Sequence, residues 1–85
     1  MMAYAAIANL IDATWGSWRS AQQAGDRSAL EANEDQLVWL ATEAVNAVSR
    51  GRLHPIARRV LADALEPAAD WVEGVAEVLK RAGWR

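Results

Sequence analysis

The chain has 85 residues, no cysteine and a formal net charge of −2 from eleven acidic and nine basic side chains. This length suits one small domain over residues 1–85 with a single modest hydrophobic core. The missing cysteines exclude disulfides and thiolate metal sites, and the near-balanced charge argues against a protein that coats nucleic acid.

The opening run from Met1 to Ile11 is apolar but is interrupted by Asn9. It is far shorter than the ~20 apolar residues that a membrane-spanning helix needs, so we expect no membrane partner. It also lacks the basic leader and cleavage site of a signal peptide. Together with the absence of cysteine, these features predict a cytoplasmic protein.

The first predicted helix covers about residues 3–24. Its apolar face comprises Tyr4, Ile7, Leu10, Ile11, Trp15, Trp18 and Ala21. Polar residues occupy the opposite side, a pattern typical of an amphipathic helix. Gly25 is the expected stop, because glycine adopts the left-handed conformation without steric cost.

The second predicted helix covers about residues 29–50. The stretch SALE, Ser28 to Glu31, has the form of a capping box, in which a hydroxyl closes the helix start and a glutamate reaches back to it. Gly51 is the expected C-terminal stop. The apolar face of this helix comprises Leu30, Leu37, Leu40, Ala41, Ala44, Val45 and Val48.

The third predicted helix covers about residues 55–82 and begins at Pro55. Proline is tolerated in the first turn of a helix, because backbone N–H groups there make no hydrogen bond within the helix. The apolar stripe of this third helix comprises Ile56, Val60, Leu61, Ala64, Leu65, Ala68, Trp71, Val72, Val75, Leu79 and Ala82. Pro67 interrupts this stripe by removing a backbone donor, yet the stripe continues at nearly the same angle. The pattern favours one helix kinked at Pro67 and leaves open two helices split near Glu66.

The periodicity predicts an all-α fold, a small antiparallel three-helix bundle whose third helix is kinked or split at Pro67. A full break at Pro67 makes the count four helices. Trp18 and Trp71 lie on apolar stripes and are expected in the core. Trp15 lies on the shoulder of its face, so half-burial is expected, and Trp84 is expected to cover one end of the bundle.

Trp39 has a different position, because it lies almost opposite the apolar residues of its own helix. Its neighbours on the helical wheel include Asp35, Glu43 and Asn46. Exposed tryptophans are enriched among residues that dominate protein–protein binding, so Trp39 is a candidate partner-binding anchor ringed by those three polar residues. Two other interpretations stay open: burial against a second neighbouring helix, and a seam between two copies of the chain.

The segment SRGRLHPIARR gathers four arginines around one predicted loop, Arg50, Arg52, Arg58 and Arg59. They are candidates for an electrostatic contact with an acidic partner, or for a phosphate-binding patch. Against the second interpretation, no aromatic residue interleaves with them, and Arg59 can pair with Asp63 on the same helix. A solvated, partly paired surface is the ordinary alternative.

No motif in the chain supplies a nucleophile with its base, and the single His54 has no second histidine with which to share a metal. The third predicted helix carries an acidic ridge, which we interpret as a solvated helix face and which comprises Asp70, Glu73 and Glu77. We therefore expect no enzyme activity, no metal and no cofactor.

The arginine-rich and alanine-rich composition indicates a GC-rich bacterial or phage genome. The resulting hypothesis is a non-catalytic helical protein-interaction module, a regulatory adaptor or small inhibitor of a protein partner. Inhibitors of a host complex encoded by a phage or mobile element belong to this class. One alternative is a nucleic-acid-binding regulator that uses the Arg50–Arg59 loop, and another is a self-assembling homo-oligomer.

Overall fold

The computed structural model describes residues 3–85 and places them in four α-helices, with no β-strand in that range. The helices are α1 (Tyr4–Ala24), α2 (Arg27–Ser49), α3 (Ala57–Ala69) and α4 (Glu73–Arg81). Met1 and Met2, the first two positions of the expected domain, lie outside the described residues. The all-helical class is confirmed. The three-helix bundle is wrong, because the third predicted helix is two helices.

The break between α3 and α4 falls after Pro67 rather than at it. Pro67 lies inside α3, which continues to Ala69. The chain changes direction at Val72, which has extended backbone angles, φ −113° and ψ 106°. The apolar stripe keeps its phase because both helices face one core, where Leu65 and Val75 are each fully buried. Continuity of the stripe therefore did not require one continuous helix.

Three helices end in the same hydrogen-bonded turn. In α1, Gly25 has φ 69°, its N–H donates to the carbonyl of Gln22, and the N–H of Asp26 donates to the carbonyl of Ala21. The glycines that end α2 and α4 make equivalent pairs of bonds. This arrangement satisfies carbonyls that a helix end otherwise leaves unpaired, and its left-handed residue favours glycine. The predicted stops at Gly25 and Gly51 are confirmed.

The start of α2 differs from the predicted capping box. The helix begins at Arg27, and the carboxylate Oδ1 of Asp26 accepts the N–H of Ala29 at 3.1 Å. Ser28 lies inside the first turn, two residues after the N-cap position. The start of α3 is also later than predicted, at Ala57 rather than Pro55.

The core lies between all four helices, and α1 and α4 both pack against the α2–α3 pair. The two-residue turn between α1 and α2 makes these helices antiparallel neighbours. The largest fully buried side chains come from every helix: Ile11, Leu37, Leu40, Leu61, Leu65, Val75 and Leu79. All of them lie on the predicted apolar stripes. Leu10 and Ile56 were also predicted on these stripes, yet both are exposed.

The C-terminal residues pack back onto the bundle. Trp84 is half-buried against the core, as predicted for a ring that covers one end. The backbone N–H of Trp84 donates to the carbonyl of Leu79 at 2.8 Å. The guanidinium of Arg58 donates to the carbonyl of Gly83, and that of Arg85 pairs with the carboxylate of Glu66 at 3.4 Å. These contacts connect α3 to the end of α4.

A glycine sets the close approach of α4 to α2. Gly74 lies in the first turn of α4, and a Cβ placed on it would lie 2.7 Å from Cγ2 of Val38 on α2. Valine is stiff about χ1, so this methyl group cannot swing away freely. The absence of a side chain at position 74 therefore allows the two helices to pack at this distance.

The cap at Asp26 predicts a measurable difference between two neighbouring substitutions. Asp26→Ala should lower the free energy of unfolding by about 1 kcal/mol, because it removes the acceptor for the Ala29 N–H. Ser28→Ala should change it by less than about 0.5 kcal/mol. Urea denaturation followed by far-UV circular dichroism measures both. If both variants lose the same free energy of unfolding, Ser28 contributes to capping α2 as much as Asp26 does.

The contact at Gly74 predicts strong coupling with Val38. Gly74→Ala should lower the free energy of unfolding by about 1–3 kcal/mol through overpacking. In a Val38→Ala background the same change should raise it by up to about 1 kcal/mol, because alanine favours the helix and the clash is gone. A double-mutant cycle in urea measures the coupling. If Gly74→Ala lowers the free energy of unfolding equally in both backgrounds, the contact with Val38 does not restrict the residue at position 74.

Candidate functional site

The surface next to Trp39, a residue that is 52% exposed, forms a cleft. The cleft has a volume of about 190 Å³. We call it the Trp39 cleft, and its lining residues are Ile7, Trp39, Leu40, Glu43, Ala47, Arg52 and Leu53. They come from three elements, the first half of α1, the second half of α2 and the segment that joins α2 to α3.

The Trp39 cleft has an apolar floor and charged groups beside it. Ile7 and Leu40 are buried core residues, and Leu53 is half-buried against the same core. Glu43 and Arg52 are exposed and carry opposite charges. Apolar residues beside a large exposed ring and polar groups are common at protein–protein interfaces, so this cleft is a candidate binding surface.

The structure brings only part of the predicted ring around Trp39 into this cleft. Glu43 lines it, one turn along α2 from Trp39. Asp35 is exposed one turn in the other direction and is not among the lining residues. Asn46 is exposed and lines a separate shallow cleft between α2 and α4, where Val78 and Arg81 form part of the wall.

The four arginines of the predicted loop are distributed over different surfaces. Arg52 lines the Trp39 cleft, whereas Arg58 and Arg59 line a second cleft next to Trp84. Arg50 is exposed at the end of α2. The guanidinium of Arg58 also donates to a backbone carbonyl, that of Gly83, at 3.0 Å. Of the four arginines, Arg52 is the one that lies beside Trp39, so it is a candidate for a charged contact at the same surface.

The other tryptophans divide between core and surface differently from the prediction. Trp18 is in the core and Trp15 is half-buried, as predicted. Trp71 was expected in the core, and this is wrong because its side chain is 64% exposed. It lies in the linker between α3 and α4, where the helical wheel no longer describes the direction of a side chain.

The sequence did not indicate that two of the residues lining the Trp39 cleft, Ile7 and Leu53, lie next to Trp39. Ile7 was assigned correctly to the core face of α1, but its position under Trp39 depends on how α1 packs against α2. Leu53 follows the glycine that ends α2 and was given no role. Its apolar character inside an arginine-rich loop was the one signal that this loop folds back onto the bundle.

Within residues 3–85, no cluster of three or more histidine or acidic side chains is arranged to hold a metal ion. No helix among these residues is both long and apolar enough to cross a bilayer. No protein-family model, curated protein or solved structure matches the chain. A function for this protein must therefore be argued from its own surface.

The burial pattern predicts a large loss of stability when Trp18 is removed and a small one when Trp39 is removed. Trp18→Ala should lower the free energy of unfolding by about 3–5 kcal/mol, because it leaves a cavity in the core. Trp39→Ala should lower it by less than about 1 kcal/mol, because half of the ring already contacts solvent. Thermal and urea denaturation of the two variants measure these values. A large loss for Trp39→Ala would mean that this ring supports the fold.

Proposed function

We propose that the protein is a non-catalytic helical module that binds another protein through the Trp39 cleft. The observation that carries the proposal is the half-exposed indole of Trp39 above an apolar floor formed by Ile7 and Leu40. One tryptophan in such a position contributes 2 kcal/mol or more of binding in typical interfaces, a magnitude of order ~30-fold in affinity. Trp39 is the anchor, and Glu43 and Arg52 are polar contacts beside it.

The chemistry of the cleft indicates the segment that it accepts. Its volume of about 190 Å³ is smaller than the roughly 300–1,000 Å³ typical of small-molecule sites. It suits one apolar side chain of a partner, packed against the face of the Trp39 indole. The opposite charges of Glu43 and Arg52 favour a partner that carries both signs around this side chain, since complementary charges fix orientation and exclude other partners.

A module of this size acts by occupying a surface. It serves either as an adaptor that recruits its partner or as a small inhibitor that blocks the partner sterically. An inhibitor of a host complex encoded by a phage or mobile element is one form of the second role. The exposed arginines at positions 50, 58 and 59 supply a second, electrostatic contact in either case.

A second copy of the chain is the second candidate for the partner. A twofold symmetric dimer places the same patch of both copies in contact, so the patch must complement itself. The charges of the Trp39 cleft are compatible with such a contact, because Glu43 of one copy could pair with Arg52 of the other. The dimer differs from the main proposal in one measurable property, the oligomeric state.

The proposal predicts that a partner is lost when Trp39 is removed. The full chain, carrying an affinity tag, is used to capture proteins from the source cell as wild type, as Trp39→Ala and as Trp71→Ala. Trp71→Ala is the matched control, because it also removes an exposed indole but outside the Trp39 cleft. A protein recovered by wild type and Trp71→Ala but not by Trp39→Ala supports the proposal. Measured with that purified partner, Trp39→Ala should weaken binding by about 30-fold or more.

Sedimentation velocity of the same three proteins separates the candidate partners. A wild-type dimer that becomes a monomer only in Trp39→Ala identifies the second copy as the partner. Identical captured proteins in all three experiments, together with a monomer throughout, would contradict a binding role for Trp39. In that case, DNA binding that falls steeply with salt would favour a nucleic-acid regulator that uses the arginines.

A further inference from the structure

Three tryptophans meet at the second half of α1, away from the Trp39 cleft. The rings of Trp15 and Trp18 are stacked, with centroids 5.0 Å apart and planes 11° from parallel. The ring of Trp71 lies 6.2 Å from that of Trp18 at 47°. They border a cleft of about 370 Å³, which we call the indole cleft, and its lining residues are Trp15, Trp18, Arg19, Gln22, Gln23 and Trp71.

The indole N–H of Trp18, one of the residues that line the indole cleft, is an unpaired hydrogen-bond donor within the described part of the chain. The side chain of Trp18 is only 6% exposed, and its Nε1 is buried without an acceptor among residues 3–85. Buried indole N–H groups usually find a partner, because a buried donor without one loses its hydrogen bond to water and gains nothing in return. A molecule that brings an oxygen acceptor to this nitrogen would recover that lost bond.

The charge of the indole cleft selects the kind of acceptor. Its polar lining consists of the Arg19 guanidinium and the amides of Gln22 and Gln23, with no carboxylate among the lining residues. Aromatic rings by themselves also attract cations. Here the fixed positive charge of Arg19 opposes a cation and favours an anion. A carboxylate has two oxygens, so one can pair with the guanidinium of an arginine while the other accepts an indole N–H.

Trp71 lines the indole cleft and is the exposed side chain whose position controls access to it. Its ring is 64% exposed, and it is carried by the short linker between α3 and α4 rather than by a helix. Its ring lies beside that of Trp18, so rotation of the Trp71 side chain is the movement by which a ligand would reach the covered N–H of Trp18. The exposed face of the Trp71 indole then offers a flat apolar surface to an aromatic ring.

We propose that the indole cleft is a binding site for a small aromatic carboxylate. One carboxylate oxygen accepts the N–H of Trp18, the other pairs with Arg19, and the aromatic ring stacks on Trp71. The volume of about 370 Å³ lies within the range of small-molecule sites. The site is separate from the proposed protein contact, because Trp15 is about 12 Å along the axis of α1 from Ile7 at 1.5 Å per residue.

The test follows the indole N–H signals of the ¹⁵N-labelled full chain by NMR while naphthalene-2-carboxylate is added. The signal of Trp18 is assigned from its loss in Trp18→Phe. We expect a saturable downfield shift of this signal, because its proton gains an acceptor. Arg19→Gln, an exposed substitution, should weaken binding by about tenfold or more, since it removes a charge-assisted hydrogen bond. Arg81→Gln, at an exposed arginine on α4, is the matched control and should leave the affinity unchanged.

Three further probes test the chemistry of the ligand. Naphthalene-2-methanol and 2-naphthylmethylammonium keep the ring but not the negative charge, and acetate keeps the charge but not the ring. Each should bind at least about tenfold more weakly than naphthalene-2-carboxylate. A Trp18 signal that does not move, an equal response to the ammonium probe, or an unchanged affinity in Arg19→Gln would overturn the proposal. The Trp39→Ala variant should bind the carboxylate as wild type does, so failure here is distinct from failure of the protein contact.

Discussion

The central position of α2 is the constraint on which the rest of the structure depends. α1, α3 and α4 all pack against this helix. Its buried residues Leu37, Leu40, Ala41 and Ala44 occupy one arc of the helix, with Trp39 about 150° from the middle of that arc at 100° per residue. The small alanines in this arc let neighbouring helices approach closely. Because three neighbours share one arc, they leave the opposite side of α2 to solvent, and the indole of Trp39 emerges there.

The helical periodicity of the sequence was sufficient to predict most of the fold. The apolar stripes identified the largest fully buried side chains of every helix, and the glycine stops were located correctly because a left-handed residue after a helix has few alternatives. The number of helices was not predictable in this way. Two helices that face one core keep the same stripe phase as one helix, so the stripe could not reveal the turn at Val72. Asp26 was missed because the adjacent Ser28 offered a plausible cap of its own.

The candidate site was less predictable than the fold, for a physical reason. Trp39 and Glu43 lie on one helix, so their shared face followed from the sequence alone. The floor and far wall of the Trp39 cleft come from Ile7 and from the segment that carries Arg52 and Leu53. Contacts between separate elements depend on packing that no single periodicity encodes. The same limit explains Trp71, whose direction is set by a linker.

Both candidate sites lie where the chain departs from the rules that serve stability alone. A folding-optimal sequence would place a charged residue at the exposed position of Trp39 and would give the indole N–H of Trp18 an acceptor. Departures of this kind concentrate at functional sites in natural proteins. The Trp39 cleft reaches the first half of α1 through Ile7, whereas Trp18 lies in the second half of that helix. Ile11, which lies between Ile7 and Trp18, is a fully buried core residue. Packing requires neither the exposed indole of Trp39 nor the unpaired N–H of Trp18, although the Trp18 ring itself fills the core. For this reason both positions are candidates for a binding role.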